Sequence, residues 1–251
     1  MFNILSAIIM TKNALITGAA KRIGKNIALS MAKDGWNIAI HCNSSLNEAK
    51  ETASEAVELG QKAFIIQGDL SNSSQVRLIF DEAASKLGNI DCLINNASYF
   101  ANDTIDNLSA ESMHKNMQVN YYAPTLLSQY FAKYSKNGNI INILDYCVKS
   151  LPDKFNSHAI SRAAMWNSTQ IIAKQLAPNI RVNAIGLGHA MINNKEKQGK
   201  FDEVIAKTPL GVATGIEEIC NAVKFIISSP SMTGELINLD SGKHLITADY
   251  Y

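Results

Sequence analysis

Only four of the 251 residues are cysteine, and Cys42, Cys92, Cys147 and Cys220 stand far apart with no C-x-x-C pair. That spacing argues against a disulfide framework and a zinc-ligand set. No metal site is expected, and the thiols fit a reducing compartment. An excess of one charge is also lacking: 23 Lys and Arg offset 22 Asp and Glu, leaving a net charge of +1 with no basic cluster. A nucleic-acid or membrane partner is therefore not expected. Long apolar runs are missing as well. The opening MFNILSAIIM is too short to span a bilayer, and it lacks the basic region and cleavage site of a signal peptide. A cytoplasmic protein is the expectation. No repeat, low-complexity tract or Pro/Ser-rich linker divides the chain. One domain over residues 10–251 is expected, with Met10 read as the natural start and residues 1–9 as an extension.

What is present is alternation. Short apolar runs read as strands at Asn13–Thr17, Asn37–His41, Ala63–Gln67, Asp91–Asn95, Asn139–Leu144, Ile180–Ile185 and Leu236–Leu239. Between them, apolar residues recur at helical spacing, as with Ile23, Ile27 and Met31 in Arg22–Lys33. Further helices are expected at Leu46–Leu59, after the Ser71-Asn72-Ser73 cap, at about Ser112–Tyr134, at Ser157–Leu176 and at Glu217–Ser228. Near-continuous apolar strands alternating with helices predict an α/β fold. It is a Rossmann-type, doubly wound, seven-stranded parallel sheet with helices on both faces. The polar stretch from Gly188 to about Pro209 reads as a lid over a site or as a surface excursion.

The turn Thr17-Gly18-Ala19-Ala20-Lys21-Arg22-Ile23-Gly24 joins the first strand to the first helix. A dinucleotide pyrophosphate belongs at such a turn. Small residues let phosphate approach the backbone, and the helix N-terminus offers N–H groups and positive potential. NAD enzymes carry an acid at the end of strand two for the ribose 2′-hydroxyl. Here that end reads His41-Cys42-Asn43-Ser44-Ser45, without an acid. Lys21 and Arg22 supply cations for a 2′-phosphate. The expected cofactor is NADP(H), with Gly18, Lys21, Arg22, Ile23, Gly24 and Ser44 around it.

This turn resembles the T-G-x-x-x-G-x-G fingerprint of the short-chain dehydrogenase/reductase family, with Arg22 in place of the middle glycine. Thr-Gly-Ala-Ala-Lys-Arg-Ile-Gly is similar to the pteridine reductase (dihydromonapterin reductase-like) branch. There the arginine helps hold NADPH, and a further arginine often stands where this chain has Ser44. Other marks follow in order. Gly68-Asp69-Leu70 resembles the segment whose acid meets the adenine. Asn95-Asn96-Ala97 resembles the N-N-A motif, in which Asn96 and Ala97 would face cofactor and Asn95 and Asn96 also serve as scaffold. Asn120 aligns with the asparagine of the catalytic tetrad. Arg181–Ile185 resembles the family's strand six, and Gly188 the glycine beyond it, where Leu187 replaces a proline. Asp240-Ser241-Gly242 resembles the terminal D-G-G. The resemblance covers nearly the whole chain from Met10. It implies a homotetramer or homodimer assembled through the helices at about 112–134 and 157–177.

At the catalytic end the family places Ser, then Tyr, then Lys four residues later on the same helix face. The corresponding residues here are Asp145, His158 and Arg162. Asp145 fits the pteridine reductase branch. So do Ser98 and Phe100 in Asn-Asn-Ala-Ser-Tyr-Phe, where an aromatic plane would stack a flat heterocycle such as a pterin. His158 and Arg162 match neither the Tyr nor the Lys, and the readings stay open. In one, Asp145 holds one ring nitrogen of His158 while the other delivers a proton to substrate. Arg162 then replaces the lysine as a cation near the ribose. In a second, the site no longer turns over, and the protein binds NADP(H) or a partner in a regulatory role. A third is reduction of a non-pterin carbonyl. Tyr146 ranks low as a substitute acid, because strand alternation points it away from the site.

Overall fold

The computed structural model describes residues 12–191 and 198–246, so the expectation for residues 1–9 lies outside them. Seven strands form one parallel sheet: β1 (Lys12–Ile16), β2 (Trp36–Cys42), β3 (Ala63–Gln67), β4 (Cys92–Asn95), β5 (Gly138–Asp145), β6 (Ile180–Leu187) and β7 (Leu236–Leu239). Their order is β3-β2-β1-β4-β5-β6-β7, and every described pairing is parallel. The order reverses between β1 and β4. In such sheets, ligands bind outside the carboxyl ends of the strands at that point.

Alternation along each strand divides the core into two layers. Ala14 and Ile16 of β1, Ile38 and Ile40 of β2, and Ile141 and Ile143 of β5 point to one face. There they meet α1 (Arg22–Lys33), α2 (Leu46–Glu58) and α8 (Ile216–Ser228). Leu15, Ala39 and Ile140 point to the other face. There they meet α3 (Ser73–Leu87), α5 (Ala123–Tyr134) and α6 (Asn156–Leu176). Both faces of the strands are covered, which is why the sequence reads as continuous apolar runs rather than alternation.

Three segments differ from the sequence expectation. The helix expected over about 112–134 is α4 (Ala110–Met117) and α5, joined through a π-turn at Gln118–Tyr122. A π-turn inserts one residue into the ladder, which no periodicity over so short a stretch reveals. The 188–209 stretch contains α7 (Gln198–Ala206), where polar residues hid the helical pattern; residues 192–197 lie outside the described ones. Finally, β5 stops at Asp145 and Tyr146–Val148 form a 3₁₀ turn, so strand alternation does not govern Tyr146.

Candidate active site

The carboxyl ends of β1, β4, β5 and β6 bring together the glycine turn, the Asn95–Phe100 segment, Asp145 and Gly188. Gly18 has φ +62°, which only glycine adopts without strain, and a Cβ there would press on the Ala97 backbone at 3.0 Å. A Cβ on Gly24 would stand 2.3 Å from the Gly18 carbonyl and 2.5 Å from Asn96 Nδ2. Gly188 donates its N–H to Leu239 O at 2.9 Å, and a Cβ there would meet Asp240 Cα at 2.7 Å. These glycines are places of close backbone approach. Arg22 also has a positive φ, +55°, where an arginine costs about 1–2 kcal/mol. Its guanidinium Nη2 donates to Met191 O at 3.1 Å, linking the glycine turn to the segment after β6.

Lys21 is exposed and lies 3.5 Å from Glu48, so its cation is shared with an acid of α2. Ser44 is exposed at the end of β2, Ile23 is half-buried, and Ser98 is exposed. The half-buried Asp69 accepts from Ser71 N–H at 2.9 Å, and Leu70 is buried. Asn96 is occupied within the turn: its Nδ2 donates to the carbonyls of Thr17 and Gly18 at 2.9 and 3.0 Å. The Thr17 hydroxyl accepts the N–H groups of Asn96 and Ala97, each at 3.0 Å. The Asn96 side chain thus braces the turn, in keeping with the scaffold part of its expected role.

His41 was not picked out by the sequence. It is buried at the end of β2. Its Nδ1 accepts from Gly18 N–H at 3.2 Å, and its Nε2 lies 3.1 Å from Gly68 O. These roles require the neutral tautomer with the proton on Nε2. Burial lowers its pKa to about 4, against smaller opposing effects of the Gly68 carbonyl and Asp69. A histidine ending strand two, beside the glycine turn, was the available signal.

Asp145 Oδ2 lies 2.7 Å from His158 Nε2 and 3.6 Å from Arg162 Nε. Its Oδ1 accepts from the N–H of Cys147 at 3.2 Å and from the Cys147 thiol. Burial pushes the Asp145 carboxyl up. The His158 hydrogen bond and charge, the Arg162 charge and the Cys147 thiol outweigh it and hold the group well below the usual carboxylate range. The Cys147 thiol is pushed up by burial and by the adjacent Asp145 charge. Ligand atoms of Asp145, Cys147 and His158 lie within 4.8 Å of one another, a spacing suited to a metal ion. In this structure they are joined through hydrogen bonds to Asp145, with the Arg162 cation beside them.

The sequence reading gave His158 one nitrogen for Asp145 and one for substrate. The geometry corrects this, because His158 Nδ1 lies 3.1 Å from Tyr99 O. Tyr99 is fixed from the other side by Asn120 in the π-turn. Asn120 Oδ1 accepts from Tyr99 N–H and its Nδ2 donates to Tyr99 O, both at 2.8 Å. Asn120 is fully buried and also donates to Ser161 Oγ at 3.0 Å. It thereby holds Tyr99 in place beside His158, whose Nδ1 lies 3.5 Å from Asn120 Nδ2. Arg162 is 6% exposed. With Asn95, Asn120 and Asn142 it lines a cavity of about 10 Å³.

In front of Asp145 lies an open cleft of about 1020 Å³, lined by residues including Arg22, Phe100, Tyr146, Phe155, His158, Gly188 and Lys243. Phe100 is 54% exposed. Its ring packs edge-on against His158 at 5.0 Å between centroids and at a tilt against Phe155 at 4.8 Å. An aromatic face so held presents a flat apolar wall to the cleft. Among the described residues, four cations (Arg22, Lys154, Lys200, Lys243) and two acids (Asp145, Asp153) line this cleft, a balance that favours an anionic ligand.

A family model described as Enoyl-(Acyl carrier protein) reductase matches residues 18–244. The chain belongs to this short-chain dehydrogenase/reductase family. Among solved structures, this family member is similar to the FolM alternative dihydrofolate reductase 1 of Brucella suis in complex with NADP. The two are 34% identical, with 94% of this chain and 96% of that one covered and a TM-score of 0.90. It is also similar to a blue fluorescent protein from a metagenomic library in complex with NADPH. That match is 26% identical, covers 92% and 97% of the chains and has a TM-score of 0.87. Among curated relatives, a 3-oxoacyl-[acyl-carrier-protein] reductase of Staphylococcus epidermidis is 26% identical, over 94% of this chain and 100% of that protein. Several similar proteins are named as reductases or dehydrogenases, and several solved structures among them hold NADP or NADPH. Among the described residues no helix is long and apolar enough to cross a membrane.

Proposed function

We propose that the chain is an NADPH-dependent reductase that delivers hydride to the C=N bond of a pterin or dihydrofolate-like substrate. The observation that carries this reading is the juxtaposition at one cleft of a glycine turn, an ionised Asp145 and the flat Phe100 ring. The glycine turn fits a dinucleotide. The positive φ of Gly18 and the close approach at Gly24 fix a tight turn that leads into the α1 N-terminus, where a phosphate would meet the helix's positive end. Gly18, Gly24, Ala97, Leu70 and Gly188 would line the cofactor, and Arg22, Lys21 and Ser44 would meet a 2′-phosphate. Bound there, NADPH supplies the hydride. The 34% identity to a dihydrofolate reductase solved with NADP supports the same reading. Phe100 would stack the heterocycle, with Ser98 beside it. Asp145, ionised, would accept an N–H of the pterin ring. The test is NADPH oxidation by the purified protein with dihydrobiopterin and with dihydrofolate.

A second reading, cofactor binding without turnover, is favoured by one observation. Both ring nitrogens of His158 face internal oxygens, and Arg162 beside Asp145 is buried. NADPH binding without consumption on any C=N or C=O substrate would favour it. The 3-oxoacyl relatives make carbonyl substrates the first to try after pterins. We further propose a homodimer or homotetramer, supported by the exposed Ile160 and Ile171 along α6; light scattering tests it.

A further inference from the structure

The cysteine spacing holds no zinc motif, yet the fold brings together a mixed set of donors that the spacing conceals. Asp145 ends β5, Cys147 follows in the 3₁₀ turn, and His158 lies in the first turn of α6. Their oxygen, sulfur and nitrogen ligand atoms lie within 4.8 Å of one another. Among the described residues this is the one group of three or more His, Cys, Asp and Glu side chains so placed. Cys147 and His158 are buried and Asp145 is half-buried, yet all three line the open cleft.

Each donor is held in an orientation that suits a metal. His158 Nε2 faces the Asp145 carboxylate, while Nδ1 meets the Tyr99 carbonyl at 3.1 Å. A metal-bound histidine nearly always donates its other ring N–H to such a partner, which fixes the ring and its tautomer. Tyr99 is in turn clamped by Asn120. Asp145 Oδ1 accepts the Cys147 N–H at 3.2 Å, which holds carboxylate and thiol together on one short turn. The thiol is aimed at the same carboxylate. A metal about 2.0–2.3 Å from each donor would set neighbouring donors roughly 3.5 Å apart. His158 Nε2 lies 2.7 Å from Asp145 Oδ2, so this pair would part by roughly 1 Å, a small side-chain rotation.

We propose that Asp145, Cys147 and His158 form a binding site for a divalent cation of the Zn²⁺ class, with a fourth coordination position open to the cleft. A thiolate, an imidazole and a carboxylate suit Zn²⁺ and its neighbours. Mg²⁺ and Ca²⁺ need several oxygen donors, and this group supplies a single carboxylate. On binding, a metal–sulfur bond replaces the S–H bond and that proton passes to water. The metal takes the place of the hydrogen bonds that now converge on Asp145, and nothing is oxidised or reduced. Arg162 Nε, 3.6 Å from Asp145 Oδ2, opposes the added charge, so the site should be weaker than a four-ligand structural zinc site. Metal binding is independent of the reductase reading, because it needs neither NADPH nor a pterin.

The test uses the full chain, reduced and stripped with chelator, and Co²⁺ alone as the probe. Titration should saturate at one Co²⁺ per chain with a Kd below about 100 μM. It should give the visible bands of tetrahedral Co²⁺ and a near-ultraviolet sulfur-to-cobalt charge-transfer band. Zn²⁺ should abolish these bands and excess Mg²⁺ should not. Cys147→Ser should lose the charge-transfer band, Cys220→Ser should keep it, and His158→Gln should weaken binding by at least about tenfold. A measurement on the wild type guards against a variant that fails to fold: Zn²⁺ should protect Cys147 from alkylation, mapped by mass spectrometry. No saturable band in the wild type, or a band that survives Cys147→Ser, overturns the site. Protection that falls instead on Cys42, Cys92 or Cys220 overturns it as well, and displacement by Mg²⁺ overturns the class of cation. A chain inert on pterin and carbonyl substrates that still shows the Cys147-dependent band would remove the reductase reading and leave the metal site standing.

Discussion

Protonation of His41 should unlatch the glycine turn, and the size of the effect follows from its surroundings. The imidazole is buried and neutral, accepting the Gly18 N–H at Nδ1. Its pKa is lowered from the ordinary 6.5 to about 4. As pH falls below about 6.5 the unfolded chain takes up this proton, while the folded chain resists until about 4. The contribution of the neutral ring is therefore complete above about 6.5 and is lost progressively between about 6.5 and about 4. At roughly 1.4 kcal/mol per unit, the loss between about pH 7 and about pH 5 is about 2 kcal/mol. For a chain of this size that is roughly 4–8 °C in Tm. His41→Asn offers Oδ1 to the same N–H but has no proton to gain. Urea unfolding of both proteins at the two pH values measures the difference. The wild type should lose about 2 kcal/mol more than the variant; effects of the other histidines are common to both and cancel. Equal losses would refute the reasoning, because His41 would then not be held neutral by the fold.

Three further outcomes follow from the site. Gly24→Ala should abolish NADPH binding and lower Tm, because its Cβ would meet backbone at 2.3 Å; calorimetric titration and a thermal melt check both. Arg22→Gly relieves a positive φ but removes the Met191 contact and a phosphate partner. Tm should stay near the wild type while NADPH Kd rises about tenfold, measured by cofactor fluorescence. Asp145→Asn strips the charge that faces His158 and Arg162. It should cost about 2 kcal/mol in denaturant unfolding and suppress pterin binding more than NADPH binding.

The sheet was legible because its strands are buried on both faces and its helices repeat at a clear period. The glycine turn was legible because its glycines answer to sterics: Gly18 by its φ, Gly24 by its contact with Gly18 O. The pairing of Asp145 with His158 followed from their alignment to the family's motif, and the two meet at 2.7 Å. What lay beyond the sequence depended on contacts between distant segments. The second nitrogen of His158 meets Tyr99 only because the π-turn places Asn120 against that carbonyl. Tyr146 was assigned the wrong side because β5 was assumed to continue through it, whereas the 3₁₀ turn begins there. His41 carried only its place at the end of strand two as a signal, since Gly18 and Gly68, which fix it, lie on two other loops; the burial of Lys243 beside Tyr146 and His189 has no local signature.

The most direct measurement of the central claim is the rate of NADPH oxidation by the purified chain with dihydrobiopterin and with dihydrofolate, followed from mildly acidic to mildly alkaline pH. The account predicts oxidation that requires the pterin, saturates with it, and collapses when Asp145 or Phe100 is replaced. Tight NADPH binding with no pterin-dependent oxidation at any pH would contradict it and leave a cofactor-binding protein without this activity.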